Sequence, residues 1–274
     1  MTEKNKATAE LDELPVVDNS AGETKELVFA IIVAAVIALI IRTFAFEPFN
    51  IPSGSMLPTL KVGDYLFVSK YSYGYSKYSF PFGLVDFEGR ILESQPERGD
   101  VAVFRKPTQT DIDYIKRIIG IPGDKVQVKL GILHINDQPV PREFIGRTDI
   151  EADRPFSVYT EYNEKLPNGV EHHIYEIDDQ QPLDTTVRFN VPKGYYFVMG
   201  DNRDSSMDSR VIEQVGLVPA ENLIGRAEFI FFSTRGIGDK CYRDGYMRYP
   251  KELLCKLVTW PQAIRYSRVF NGIN

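Results

Sequence analysis

The sequence has few of the residues on which disulfide-stapled domains and metal sites depend. Its 274 residues include two cysteines, Cys241 and Cys255, and three histidines. It has no CxxC pair, which excludes a disulfide-dense scaffold and a zinc site built on that motif. An excess of positive charge is also lacking, because 32 Lys and Arg residues stand against 38 Asp and Glu residues for a net charge of −6. This balance argues against a nucleic-acid binder that works by overall positive charge.

One long hydrophobic run is present near the N-terminus. Leu27 to Ile41 is an unbroken stretch of 15 apolar residues, and continuation to Phe46 extends it to 20, about the length that a bilayer core requires. We therefore predict a transmembrane helix over residues 27–46. A buried helix in a soluble protein is the first alternative, and the lack of a polar face counts against it. A cleaved secretory signal is the second, and it lacks the basic region that should precede the run.

The segment before this run is acidic, with three lysines and seven carboxylates in residues 1–26. It has no hydrophobic periodicity, so we predict a solvated tail. The lysines of this tail compete with Arg42 and Lys61 on the other side of the run. The positive-inside rule therefore does not decide the orientation of the helix.

Residues 47–274 read as a β domain made of short alternating runs between Gly and Pro turn signals. We predict strands at 64–69, 100–104, 114–119, 125–130, 195–199 and 228–232, which makes the soluble part all-β with antiparallel sheets. An acidic segment at about 143–190 has weak patterning, and we predict a variable insertion or small subdomain. Its His172–His173 pair fits a solvated loop better than a metal site, because no third ligand follows from spacing.

A dense aromatic segment occupies residues 71–82, with four tyrosines and two phenylalanines. Aromatic rings with polar edges suit a membrane interface, so this surface is a candidate for contact with lipid. Cross-strand packing of a hairpin explains much of the same pattern. The sequence leaves both interpretations open.

Two segments carry residues that fit nucleophilic catalysis. Ser55 lies in a loop with Pro52, Gly54 and Pro58, where an exposed nucleophile is commoner than on a regular strand. The histidines form no recognisable triad with it, so a lysine is the candidate base. An ordinary lysine has a pKa of about 10.4 and is neutral in only about one molecule in 2,500 at pH 7. Lys116 could have a lower pKa, because strand alternation places it among apolar neighbours where desolvation favours the neutral amine.

Four segments in order behind the predicted membrane helix resemble the conserved boxes of type I signal peptidases, the bacterial leader peptidases. They are Pro52-Ser-Gly-Ser-Met-Leu-Pro-Thr59, Arg98-Gly-Asp-Val-Ala-Val-Phe104, Tyr114-Ile-Lys-Arg-Ile-Ile-Gly-Ile-Pro-Gly-Asp124 and Gly200-Asp-Asn-Arg-Asp-Ser-Ser-Met-Asp-Ser-Arg210. The resemblance covers about residues 27–130 and 190–232. It implies a signal-peptidase-like fold for the all-β domain.

The resemblance also implies roles for individual residues. Ser55 is the expected nucleophile and Lys116 the general base, while the Ser53 hydroxyl and the Ser55 backbone N–H form the oxyanion hole. Ser206 is expected to orient the Lys116 amine, and Asp208 and Arg210 are expected to form a supporting charged pair. Three apolar residues are expected to line shallow substrate pockets that accept only small side chains: Phe49, Ile51 and Ile115.

These expectations describe a serine endopeptidase that cuts signal peptides from secreted preproteins after small-x-small sites such as Ala-x-Ala. The resemblance places it in the bacterial plasma membrane, with the tail in the cytoplasm and the catalytic domain on the outer, periplasmic face. We expect a monomer that contacts phospholipid, binds no nucleic acid and needs no metal or organic cofactor. In that exported domain, Cys241 and Cys255 could form a disulfide or remain free thiols.

Two other functions remain open. A processing peptidase of a specialised secretion or conjugation system would keep the same residues and differ in its substrate. A membrane-tethered β domain that only binds would have no turnover.

Overall fold

The computed structural model describes residues 20–80, 85–149, 158–235 and 261–273. The chain divides into two compact units, Met1–Ile40 and Ile41–Asn274. Cys241, Cys255 and residues 1–19 of the predicted tail lie outside the described residues.

The N-terminal helix, α1, comprises Ser20–Phe44, and its part from Thr24 onward is 21 residues long and apolar enough to cross a membrane by length and composition. The helix starts before the predicted residue 27 and ends two residues before the predicted residue 46. The end of the predicted tail is therefore helical, and acidic residues such as Glu26 are favourable in the first part of a helix. The helix stops at Phe44 because Phe46 already pairs with Ser69 in a sheet.

Within the described residues, fourteen strands follow α1, and each pair of neighbouring strands within a sheet is antiparallel. Their bounds are β1 Phe46–Asn50, β2 Asp64–Ser69, β3 Val101–Lys106, β4 Gln109–Gly120, β5 Lys125–Lys129, β6 Ile132–Ile135, β7 Gln138–Pro139, β8 Arg142–Asp149, β9 Val158–Lys165, β10 Glu171–Glu176, β11 Phe189–Asn190, β12 Tyr195–Met199, β13 Val218–Pro219 and β14 Leu223–Ser233. The prediction of an all-β domain with antiparallel sheets behind one N-terminal apolar helix is confirmed.

The strands form three sheets. The largest has the order β1-β2-β14-β3-β4-β12-β13, and the smaller ones have the orders β11-β5-β6-β7 and β10-β9-β8. Buried Val, Ile and Leu side chains from β2, β3 and β14 form a core into which Met56 and Leu60 insert from the loop between β1 and β2. This packing fixes the loop that carries Ser55.

The three-stranded sheet occupies much of the segment predicted as an insertion or subdomain. We predicted no strands there, because its strands carry charged residues on both faces. In β10, His172, Ile174 and Glu176 point inward and are buried, although two of the three are polar. The prediction that His172 and His173 lie in a solvated loop is wrong, since both belong to β10.

The described part of the aromatic segment 71–82 packs largely against the domain. Tyr73 is buried and its hydroxyl donates to Asp100, while the Tyr75 hydroxyl donates to the Phe44 carbonyl. Residues 81–84 lie outside the described part of the chain. Tyr71 is exposed instead, and it belongs to a different aromatic surface on β1, β2 and β14.

Candidate active site

Ser55 lies in the irregular loop that joins β1 to β2. The buried side chains of Met56 and Leu60 hold the loop from one side. Asn202 holds it from the other, because its backbone N–H donates to the Ser55 carbonyl at 3.1 Å and its side-chain amide donates to the Gly54 carbonyl at 3.1 Å. The Ser55 hydroxyl is therefore carried on a backbone with little freedom to move.

Lys116 comes to Ser55 from the middle of β4. Its Nζ lies 2.6 Å from the Ser55 Oγ, although the two residues are 61 positions apart in sequence. The side chain is buried, and its amine also lies 5.4 Å from the centre of the Tyr114 ring. The structure thus brings the predicted nucleophile and the predicted base within hydrogen-bonding distance.

The surroundings of Lys116 favour the neutral amine. Burial lowers its pKa from the ordinary value of 10.5 to about 8, while the more distant Asp208 and Asp201 carboxylates oppose the shift and Arg210 adds to it. Within the described parts of the chain, no carboxylate forms an ion pair with this amine. A lysine with this pKa is neutral in about one molecule in ten at pH 7.

Ser53, the predicted oxyanion-hole residue, lies beside the nucleophile. Its Oγ is 3.4 Å from the Ser55 Oγ, and its side chain is more exposed than that of Ser55. A hydroxyl at this position can turn toward an oxygen that develops on a carbonyl attacked by Ser55. The geometry is compatible with the predicted role, which stays a prediction.

Ser206, the predicted orienting residue, is buried behind the loop. A Cβ added to Gly200 would lie 2.2 Å from the Ser206 Oγ and 2.4 Å from the Ser55 carbonyl oxygen, so only glycine fits at this position. The Ser206 Oγ has no well-aligned hydrogen bond to any described residue. Its effect on Lys116 stays a prediction.

Asp208 and Arg210 form the buried charged pair that the sequence predicts. The Arg210 Nη2 lies 2.9 Å from the Asp208 Oδ2, and the same carboxylate accepts the Gly200 N–H at 3.0 Å. Although burial opposes it, the charge and hydrogen bonds of Arg210 hold the pKa of Asp208 below its ordinary value. The pair therefore keeps Asp208 ionised near Lys116.

The three predicted substrate-binding residues line one cleft. Phe49, Ile51 and Ile115 border a space of about 530 Å³ that also reaches Ser55 and Lys116. Its walls are mostly apolar, and Ile51 is almost fully buried. The cleft offers room for small apolar side chains beside the nucleophile.

Sequence reasoning missed a second set of buried charges directly behind the site. Arg117, the neighbour of Lys116, makes two hydrogen bonds to Asp201, with Nε at 2.9 Å from Oδ1 and Nη2 at 2.7 Å from Oδ2. Thr59 donates to the same carboxylate at 2.6 Å. Asn202 was missed as well. All four residues belong to the quoted motifs, so the signal was present although the contacts were not predictable from spacing.

The two adjacent histidines do not face one site. His172 is buried with its Nε2 3.5 Å from the Glu164 Oε2, whereas the exposed His173 has its Nδ1 2.6 Å from the Glu161 Oε1. Burial lowers the pKa of His172 to about 4, so it is neutral at physiological pH. Strand alternation points the two rings to opposite faces of β10, which separates them as ligands.

Three carboxylates in the described residues lie close to one another. Oxygens of Glu176, Asp184 and Asp204 lie within 4.8 Å of one another. Burial raises the pKa of Glu176 to about 8 and that of Asp184 to about 6. A proton on Glu176 at neutral pH relieves much of the repulsion that the group would otherwise have.

Comparisons with known proteins show the family of the chain. A family model described as signal peptidase, peptidase S26, matches residues 24–232, which is more than half of the chain. The chain is 42% identical over 263 residues to a signal peptidase I of Rickettsia canadensis, covering 93% of this chain and 94% of that protein. It is also 42% identical over 245 residues to a signal peptidase I of Rickettsia typhi, covering 86% of this chain and 89% of the relative.

Among solved structures, the chain matches a signal peptidase I from Enterococcus faecalis with 23% sequence identity and a TM-score of 0.29. The match covers 48% of this chain and 97% of the other. Similarity at this level supports no residue-by-residue correspondence.

Proposed function

Because the chain belongs to the signal peptidase family, peptidase S26, we propose that it removes signal peptides from secreted preproteins through an acyl-enzyme on Ser55. Family membership makes it a serine endopeptidase, which disfavours the reading of a β domain that only binds. The observation that carries the proposed mechanism is the distance of 2.6 Å between the Ser55 Oγ and the amine of the buried Lys116.

The proposed reaction begins when neutral Lys116 accepts the proton of the Ser55 hydroxyl as the oxygen attacks the scissile carbonyl carbon. The Ser53 hydroxyl and the Ser55 backbone N–H stabilise the resulting oxyanion. Collapse of the tetrahedral intermediate breaks the C–N bond, and the lysine ammonium gives its proton to the departing amine. Lys116 then accepts a proton from water as the water oxygen attacks the ester carbonyl carbon. The bond from this carbon to the Ser55 Oγ breaks, the lysine ammonium returns the proton to the Ser55 oxygen, and the signal peptide leaves with a new C-terminal carboxyl group.

The cleft beside Ser55 supports a preference for small-x-small sites. The side chains of Phe49, Ile51 and Ile115 occupy its walls and limit the depth that a substrate side chain can enter. A small residue such as alanine can approach Ser55 closely, whereas a bulky one would displace the scissile carbonyl. This is the basis for our proposal that the enzyme cuts after Ala-x-Ala.

The apolar helix supports a membrane substrate. Ser55 follows Ile41 by 14 residues, a length of chain that spans at most about 50 Å when fully extended. We propose that α1 crosses the bacterial plasma membrane with the N-terminus in the cytoplasm and the catalytic domain on the outer face. A preprotein anchored by its signal peptide then presents its cleavage site at the same surface. Every residue of the proposed mechanism comes from one chain, so the proposed reaction needs no second copy of the protein.

A partly exposed aromatic surface supports contact with phospholipid. Its rings lie on β1, β2, β14 and the turn after β2 and contact one another, with centroids between 4.4 and 6.2 Å apart: Phe46, Tyr65, Phe67, Tyr71, Phe229, Phe231 and Phe232. Tyr65 and Tyr71 are the most exposed of these rings. Aromatic side chains with one polar edge are suited to the headgroup region of a bilayer.

The test is cleavage of a purified preprotein with an Ala-x-Ala site by the full-length enzyme in detergent with added lipid. We expect the wild type to release a mature chain whose N-terminal sequence begins directly after that site. Ser55→Ala should lose this activity, while the matched exposed variant Ser94→Ala should keep it. Full activity of Ser55→Ala would overturn the mechanism. Failure of the wild type on several such preproteins would favour a specialised processing peptidase instead.

A further inference from the structure

A second cleft begins at Ser55 and extends away from the one lined by Phe49. It has a volume of about 560 Å³ and shares four lining residues with the first cleft: Ser53, Ser55, Ser205 and Met207. The nucleophile therefore lies where the two clefts meet. An endopeptidase cuts inside a chain, so its substrate must continue beyond the scissile bond in both directions.

The walls of this second cleft are largely apolar. Its apolar lining residues include Pro182, Leu183, Met207 and Val211. Met207 is 45% exposed although it sits beside the nucleophile. A flexible, polarisable methionine in such a place adapts its shape to an apolar group that enters the cleft.

The wall that carries Leu183 is held in place at several points. The Asp204 carboxylate accepts the Ile177 N–H at 2.6 Å, and the Asp184 carboxylate accepts the Gln181 N–H at 2.7 Å. The Asp184 carbonyl in turn accepts the Gly131 N–H at 3.0 Å. The wall is therefore formed before a substrate arrives, which lowers the entropic cost of binding.

We propose that this second cleft binds the first residues of the mature protein, directly after the scissile bond, and that Leu183 and Met207 select an apolar side chain there. The inference rests on the proposed function, because the first cleft must hold the signal-peptide side of the bond. It adds a specificity contribution from the mature protein to the one from the Ala-x-Ala site.

Contacts in this second cleft can affect only acylation, the half of the reaction that forms the acyl-enzyme. The residues after the scissile bond leave when the acyl-enzyme forms, so substrates with the same signal peptide give the same acyl-enzyme. A preference that comes from the second cleft should therefore change kcat/KM and leave the rate of deacylation unchanged. A general loss of structure would alter both.

The experiment uses full-length enzyme in detergent with lipid and preproteins that share one signal peptide and one Ala-x-Ala site. Leu or Asn, which are similar in size, is placed in turn at each of the first three positions after the bond. For at least one position we expect a higher kcat/KM with Leu, and we expect Leu183→Ser to reduce that Leu/Asn ratio about five- to tenfold. Leu92→Ser, at an exposed leucine that does not line this cleft, should leave the ratio unchanged.

Cleavage of the Asn substrates at a measurable rate shows that Leu183→Ser is folded. Equal kcat/KM for Leu and Asn at all three positions in the wild type would overturn the inference while leaving the proposed function intact. A Leu preference that survives in both Leu183→Ser and Met207→Ser would also overturn it. If the wild type cleaves none of these preproteins, the proposed function fails and the inference fails with it.

Discussion

Lys116 and Arg117 are adjacent in β4, both are basic and both are buried, yet their surroundings differ. Arg117 binds Asp201 through two hydrogen bonds, whereas Lys116 faces the Ser55 hydroxyl and has no ion pair among the described residues. The Arg117 guanidinium is paired with a buried carboxylate, while burial without such a pair lowers the pKa of Lys116 to about 8. Because side chains alternate along β4, Arg117 points to Asp201 and stabilises the fold, while Lys116 points to Ser55 and is suited to act as a base.

The largest effect should come from removing the amine. Lys116→Met keeps the side-chain volume and apolar contacts but cannot accept a proton. We expect kcat to fall by about 10²- to 10⁴-fold, the usual contribution of a general base. The melting temperature should not decrease, because the variant buries no unpaired polar group. Activity within a factor of three of the wild type would show that Lys116 is not the base.

Breaking the pair of Arg117 and Asp201 should mainly reduce the stability of the fold. Asp201→Asn leaves Arg117 buried without a carboxylate, and we expect the free energy of unfolding to fall by about 3 to 5 kcal/mol. Denaturant unfolding of the full chain in detergent measures this loss. The matched control is Asp137→Asn. The Asp137 carboxylate pairs with Arg188 at the surface, and losing this pair should lower the free energy of unfolding by less than about 1 kcal/mol. Equal losses in the two variants would contradict the structural role of the Arg117 pair.

A smaller effect is expected at Ser53, whose hydroxyl lies 3.4 Å from the Ser55 hydroxyl. Ser53→Ala should lower kcat by about 10²- to 10³-fold, the usual cost of one oxyanion-hole donor, with little change in KM. Ser53→Thr keeps the hydroxyl and should recover most of the activity. A loss below about threefold in Ser53→Ala would remove this residue from the mechanism.

The contrast between Lys116 and Arg117 also shows what the sequence could predict. Alternation placed the two residues on opposite faces, and the motifs pointed to Ser55 and Lys116 before any distance was known. The partner of Arg117 was not predictable, because Asp201 is 84 positions away and the packing of β4 against β12 decides which groups meet. The same holds for Asn202, which reaches Gly54 across 148 positions.

The fold was predictable where the apolar pattern is strong. The predicted strands at 64–69 and 195–199 have the same bounds as β2 and β12. The sheet of β8, β9 and β10 was not predicted, because its inward positions include His172 and Glu176, which read as solvent-facing residues. Their burial depends on charged neighbours from other elements, such as Arg142 beside Glu176, and local periodicity carries no information about those contacts.

The measurement that tests the account most directly is the pH dependence of kcat/KM for the wild-type enzyme on an Ala-x-Ala preprotein. The reactive form is the neutral amine, and the pKa of Lys116 is lowered to about 8, so the neutral fraction rises with pH. We expect kcat/KM to increase about tenfold per pH unit below pH 8 and to level off above it. A profile that is flat from pH 6 to 9, or that still rises steeply beyond pH 9.5, would contradict a buried, unpaired Lys116 as the base.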